Sequence, residues 1–197
     1  MNRRDALKRT GLLGGIAAGA PGLLSLLQAC SQQTRSEWVP EFLSEKQARF
    51  ITSFVDTILP KTETPGAIDV KTDMFIDFVY AKTLDPEAQA GVRAELDKFD
   101  SDCEAQFGKV FADLSAEEKR ECLMAHEKKT AKFNRGVWGT AVGEQEPVAF
   151  YRNLKSIALW GYFSSEEIGK NVLNYDPIPG QYRGCVPVDE IGKVWSL

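Results

Sequence analysis

Leu43-Ser44-Glu45-Lys46-Gln47-Ala48-Arg49-Phe50-Ile51-Thr52-Ser53-Phe54-Val55-Asp56-Thr57-Ile58-Leu59-Pro60 decides the fold class. Ser44 and Gln47 stand three residues apart ahead of an apolar run, the spacing of a capping box. There the two side chains satisfy backbone N–H groups that the first helical turn leaves open. Phe50, Ile51, Phe54, Val55, Ile58 and Leu59 follow at helical spacing and form a wide apolar stripe, which other elements must cover. Pro60 stops the helix, having no N–H to donate and a ring that clashes with the preceding turn. Thr64-Pro65-Gly66-Ala67 then reads as a turn, with Pro65 presetting φ and Gly66 taking a positive φ.

The same grammar repeats downstream. Asp73 to Thr83 predicts a second helix burying Phe75, Ile76, Phe78 and Val79. Asp85-Pro86 opens a third, Asp as N-cap and Pro at the first helical position. Its stripe is Val92, Leu96, Phe99, Cys103, Phe107, and Gly108 is placed to end it. Ser115 with Glu118 makes a second capping box, starting a charged helix through about Phe133. Asn134 to Glu146 reads as an irregular loop. Pro147 to Phe163 returns to helix, with Val148, Tyr151, Leu154, Ile157 and Ala158 on one side. Ser164 and Glu167 suggest a third capping box before a short helix carrying Ile168 and Val172. Tyr175 to Leu197 holds Pro177, Pro179 and Pro187 and no sustained period. Long strand-type alternation is missing, so the expectation is an all-α single domain of about six helices with an irregular C-terminal tail.

The N-terminus reads as an address label. Arg3-Arg4 precedes a mildly apolar run, Gly11 to Ala29, which ends in Leu27-Gln28-Ala29-Cys30. Leu, a small residue and then Cys look like a bacterial lipobox, whose thiol takes diacylglycerol before cleavage. Five glycines and Pro21 make the run a poor spanning helix. Low hydrophobicity beside paired arginines resembles a twin-arginine signal, used for cargo exported already folded, although Ala6 departs from the Phe usual there. An ordinary secretory signal with a chance Cys is the alternative. The resulting division is a signal over residues 1–29, a lipidated tether over 30–42 and a domain over 43–197. Ser31 after Cys30 lacks the Asp that marks inner-membrane retention, which leans toward the outer membrane.

The 197-residue chain carries a net charge of −4, and the signal holds Arg3, Arg4, Lys8 and Arg9 against Asp5. The exported body is therefore more acidic still. It repels phosphate backbones, which argues against nucleic-acid binding. Beyond Cys30 there remain Cys103, Cys122 and Cys185, in a compartment that permits disulfides. Cys103 paired with Cys185 is the favoured bridge, because the Pro/Gly-rich tail needs tethering. Closing so long a loop contributes about 4 kcal/mol on the chain-entropy model. Three reduced thiols acting as small hydrophobes are the alternative.

Enzyme chemistry is hard to build from this composition. His126 is the single histidine, and His126-Glu127 is followed at the fourth position by Thr130 rather than a second zinc ligand. His126 therefore reads as a plain surface or boundary residue. No Cys-x-x-Cys-His and no Gly-x-Gly-x-x-Gly occurs, so neither covalent haem nor a dinucleotide cradle is indicated. No catalytic, cofactor-binding or metal-binding residue is assigned. The remaining signal is aromatic: Trp160-Gly161-Tyr162-Phe163, Tyr175, Tyr182 and Trp195. Core packing is one reading of Trp160 and Phe163. A partner-binding surface built from Trp160, Tyr162, Tyr175 and Tyr182 is the other, since interfaces favour Tyr and Trp. Gly161 beside large rings permits close backbone approach.

Several of these segments recur together in one pattern: Asp56-Thr57-Ile58-Leu59-Pro60, Thr64-Pro65-Gly66-Ala67, Phe75 to Val79, Phe107-Gly108-Lys109-Val110-Phe111 through Ser115, Phe150 to Leu154, Gly161-Tyr162-Phe163, then Tyr175, Pro179-Gly180 and Gly184. In order and spacing, roughly from Leu43 to Val188, they resemble the gluconate 2-dehydrogenase subunit 3 family. The resemblance implies a small non-catalytic partner of a periplasmic, FAD-dependent dehydrogenase of the GMC type acting on sugars or sugar acids, glucosides oxidised at the 3-position included. The large subunit would hold FAD and lack an export signal; the small one would supply the signal and, through Cys30, the membrane anchor. A cytochrome c electron acceptor accompanies some such pairs. Two other classes stay open: a stand-alone lipoprotein binding a ligand or envelope partner, and an independent enzyme using Cys122 or His126.

Overall fold

The computed structural model describes residues 38–129, 136–137, 140–141, 148–178, 180–181 and 184–196. Arg3, Arg4, Cys30 and Tyr182 lie outside them, as does most of the expected loop at 134–146. The chain divides into two units, Met1–Val39, of which only Trp38 and Val39 are described, and Pro40–Leu197. Glu41 and Phe42, read from sequence as tether, belong to the second unit.

Helices dominate the described residues: α1 Glu45–Ile58, α2 Thr72–Thr83, α3 Pro86–Phe107, α4 Ala116–Lys129, α5 Phe150–Phe163 and α6 Val188–Ile191. A 3-10 turn, Phe111–Asp113, links α3 to α4, and a π-helical turn, Ile168–Val172, follows α5. The strand content described is a two-residue antiparallel pair, β1 Gly136–Val137 with β2 Thr140–Ala141. The all-α reading holds. No described helix is long and apolar enough to cross a membrane.

Helix α1 is the centre, packed against α2, α3, the 3-10 turn and α4. Ser44 and Gln47 form the expected capping box, and Phe50, Ile51, Phe54 and Val55 are buried. Phe50, Phe99 and Phe111 make a ring cluster with centroids 5.1 to 5.9 Å apart. Edge-on and tilted rings at this spacing contribute beyond their buried area. Buried carboxylates pin the loops to this core. Asp77 on α2, 2 % exposed, accepts backbone N–H bonds from Glu41 (2.8 Å), Phe42 (3.0 Å) and Leu43 (2.9 Å). Asp100 on α3 accepts the Phe111 N–H at 2.8 Å and meets the Lys46 ammonium at 3.1 Å.

The ends of the helices follow local chemistry. Asp85 caps α3 by accepting the Ala88 N–H, and Gly108 closes it at φ 73°. Ser115 and Glu118 exchange hydrogen bonds at the start of α4. Two expectations fail. Gly66 is not at positive φ; it is glycine because a Cβ there would lie 2.6 Å from the Lys61 backbone nitrogen. Ser164 forms no capping box, because its hydroxyl donates back to the Trp160 carbonyl at 2.6 Å. The tail is tied without a disulfide. Asn174 pairs with the strand-like stretch at Trp195, and its side-chain amide donates to the Ile191 and Lys193 carbonyls.

Candidate functional site

Two features stand out against this frame. The first is an aromatic face where α2 meets α5. Gly161 lets the helices close up: a Cβ at that position would sit 2.4 Å from the Phe75 ring. With the backbones this near, Phe75 and Trp160 meet edge to face, centroids 5.0 Å apart. The rings continue one turn along each helix, to Phe78 on α2 and Phe163 on α5. Phe78 is 55 % exposed, Trp160 54 % and Phe163 42 %. Sequence periodicity assigned Phe78 to the core; it faces solvent, since Phe75, Ile76 and Tyr80 already fill the contacts α2 makes with its neighbours. The core reading of Trp160 and Phe163 fails likewise, since both rings are largely open to solvent.

Tyr162 behaves differently from its expected interface role. It is buried, and its hydroxyl donates to the Pro65 carbonyl at 2.7 Å, tying α5 to the turn after α1. Tyr175 is exposed, with the Lys170 ammonium 5.9 Å above its ring. Trp160 and Tyr175 thus present surface, while Tyr162 is structural.

The second feature is a buried sulfur pair between α3 and α4. The Cys103 and Cys122 Sγ atoms are 2.8 Å apart, each side chain almost fully enclosed. Cys185 is exposed and free. The expected Cys103–Cys185 bridge is therefore not formed. The inference failed because the tail's tether is Asn174, and because Cys122 sits on the inner face of a helix whose charged composition disguises that face. His126, one turn after Cys122, lies flat on Phe99, centroids 3.8 Å apart, and is half-buried, a boundary residue as expected. The contact between the sulfurs, reinforced by burial, pushes the Cys103 thiol up. The same contact lowers the Cys122 thiol, aided by the His126 side chain.

Beside His126 opens a cleft of about 270 Å³ whose lining includes Glu95, Lys98, Asp102, Lys129 and Tyr151. Burial pushes the Tyr151 hydroxyl up to about 12, with the Glu127 carboxylate adding to the effect. Among the described residues no group of His, Cys, Asp and Glu side chains is arranged to hold a metal ion.

The family model for gluconate 2-dehydrogenase subunit 3 matches residues 45–180, from the start of α1 to beyond the π-helical turn. The chain belongs to the gluconate 2-dehydrogenase subunit 3 family. Members are small subunits of dehydrogenase complexes, so a catalytic dehydrogenase subunit is this chain's partner. Comparison with curated proteins and with solved structures found no match. For a subunit of a complex, the exposed rings of α2 and α5 are the feature that asks for a covering surface.

Proposed function

We propose that this chain is a non-catalytic escort and anchor for a periplasmic FAD-dependent dehydrogenase of sugars, sugar acids or glucosides. The aromatic face of Phe78, Trp160 and Phe163 carries the reading, because a subunit without chemistry of its own needs a docking surface above all. In this reading the catalytic subunit covers those rings and folds around its flavin in the cytoplasm. The Arg3-Arg4 signal then carries the folded pair across the membrane, and diacylglycerol on Cys30 holds it at the envelope, the outer membrane by the identity of Ser31. Electrons leave the partner's flavin for an acceptor such as a cytochrome c. Binding energy, rather than bond-making, is what the helical domain contributes.

Export gives the test. Replacing the signal pair, Arg3→Lys with Arg4→Lys, leaves the domain and its docking face untouched. The expected result is dehydrogenase activity and flavin accumulating in the cytoplasmic fraction and vanishing from the envelope. A catalytic subunit that still reaches the envelope normally in that strain overturns the escort role. Cys30→Ala is expected to move the complex from membranes into the soluble periplasmic fraction.

A further inference from the structure

The sulfur pair of α3 and α4 serves no purpose in docking or export, yet it is held more tightly than packing demands. Non-bonded carbon atoms rest ~3.5–4.0 Å apart, and sulfur is larger than carbon. The Cys103 and Cys122 sulfurs approach to 2.8 Å. A disulfide is ~2.05 Å long, so bonding needs a movement of less than ~1 Å. The surroundings keep the two sulfurs aimed at each other. Cys103 lies one turn after Phe99 on α3 and Cys122 one turn before His126 on α4, so the Phe99–His126 ring stack fixes the two helices in register beside the sulfur contact. Leu96, Phe111 and Leu123, all buried, belong to the same core.

We propose that Cys103 and Cys122 are a disulfide-forming pair that staples α3 to α4. The oxidant is a disulfide of the thiol-exchange class, small-molecule or protein-borne. The Cys122 thiolate attacks one sulfur of that disulfide and releases its first thiol. The Cys103 sulfur then attacks Cys122 Sγ in the mixed disulfide and releases the second. Two cysteine thiols lose two electrons and two protons, and the oxidant's disulfide gains both as two thiols. Because the native pair is enclosed, exchange takes place when α3 and α4 open locally in the oxidising compartment, and the closed bond is shielded from later reductants. Exposed Cys185 takes no part and stays open to surface modification. The pairing is independent of the docking reading, and its oxidising compartment rests on the export reading.

The test uses the full chain, unfolded and reduced, then refolded in a mixture of reduced and oxidised glutathione, acid-quenched, alkylated and digested with trypsin. Cleavage after Lys and Arg separates the four cysteines into Thr10–Arg35, Phe99–Lys109, Glu121–Lys128 and Gly184–Lys193. The expected product is Phe99–Lys109 linked to Glu121–Lys128, two hydrogens lighter than the sum of the free peptides and released by dithiothreitol. Cys185 is alkylated or carries glutathione. The linked form is expected to melt about 6–12 °C above the reduced form, from loop closure in a chain of this size. Cys185→Ser is expected to leave the link intact, which separates this pairing from one involving the tail. The proposal is overturned if Cys103 and Cys122 are recovered mainly as alkylated or glutathione-bound thiols. A link from either of them to Cys185 overturns it equally.

Discussion

Trp160→Ala is the perturbation that separates docking from folding. The indole is 54 % exposed. A Trp side chain buries up to ~250 Å², so ~130 Å² of this one is left for a partner to cover. At ~25 cal/mol per Å² that area is worth about 3 kcal/mol, the scale of an interfacial hot spot. The corresponding loss of affinity is roughly 100-fold. The ring also meets Phe75 edge to face, centroids 5.0 Å apart. Losing that contact costs the fold only about 1 kcal/mol. The assay is titration calorimetry of the catalytic subunit against wild-type and variant small subunits, with thermal melts of each small subunit alone. Docking predicts a large fall in affinity beside a small fall in Tm. Phe78→Ala, 55 % exposed on the facing helix, should behave alike. Val188→Ala, more exposed at 83 % but on α6, should change neither quantity. If Trp160→Ala and Phe78→Ala both bind within threefold of wild type, the face is not the interface and the reasoning is refuted.

Three further perturbations test the frame that presents this face. Asp77→Ala removes the acceptor of the Glu41, Phe42 and Leu43 N–H groups. Urea unfolding should show a loss of about 3–5 kcal/mol, and Asp77→Asn, which keeps one carbonyl oxygen, a smaller one. Gly161→Ala drives a methyl to 2.4 Å from the Phe75 ring. It should cost about 1–3 kcal/mol in the same assay and weaken partner binding as Trp160 is displaced. Glu118 is held below its usual 4.5 by the Ser115 N–H and then by the Ser115 hydroxyl. A depressed carboxylate adds stability above its unfolded pKa and loses it as pH falls through the folded one. Tm measured downward from pH 4.5 should therefore fall less steeply in Glu118→Gln than in wild type.

Where side chains act on their own helix, the structure was legible in advance. The Ser44–Gln47 and Ser115–Glu118 boxes, the Asp85 cap and the Gly108 stop are local chemistry. Gly161 was readable because a glycine between large rings has one plain use. What could not be read depends on the choice of partner in three dimensions. Periodicity puts Phe78 on an apolar face without saying which neighbour covers it, and it is open to solvent; Tyr162, read as an interface residue, is buried and bonded to Pro65. Cys103 was assigned to the tail by an argument about tethering, yet Asn174 does that work with hydrogen bonds. Cys122 lies on a helix whose Glu and Lys residues outnumber its two buried ones, so its inward face gave little sequence signal. Ser164 followed the capping pattern but turned its hydroxyl back into α5, a competing bond open to any Ser near a helix end.

The central claim is that this subunit carries a flavoprotein and makes no bonds of its own. Affinity capture of the tagged chain from native membranes in mild detergent, followed by separation of the captured subunits, tests it most directly. The account predicts a large protein in fixed stoichiometry, flavin absorbance travelling with that protein, and sugar or sugar-acid oxidation retained by it alone. A captured chain free of flavin, or turnover that stays with the small subunit after separation, would contradict it.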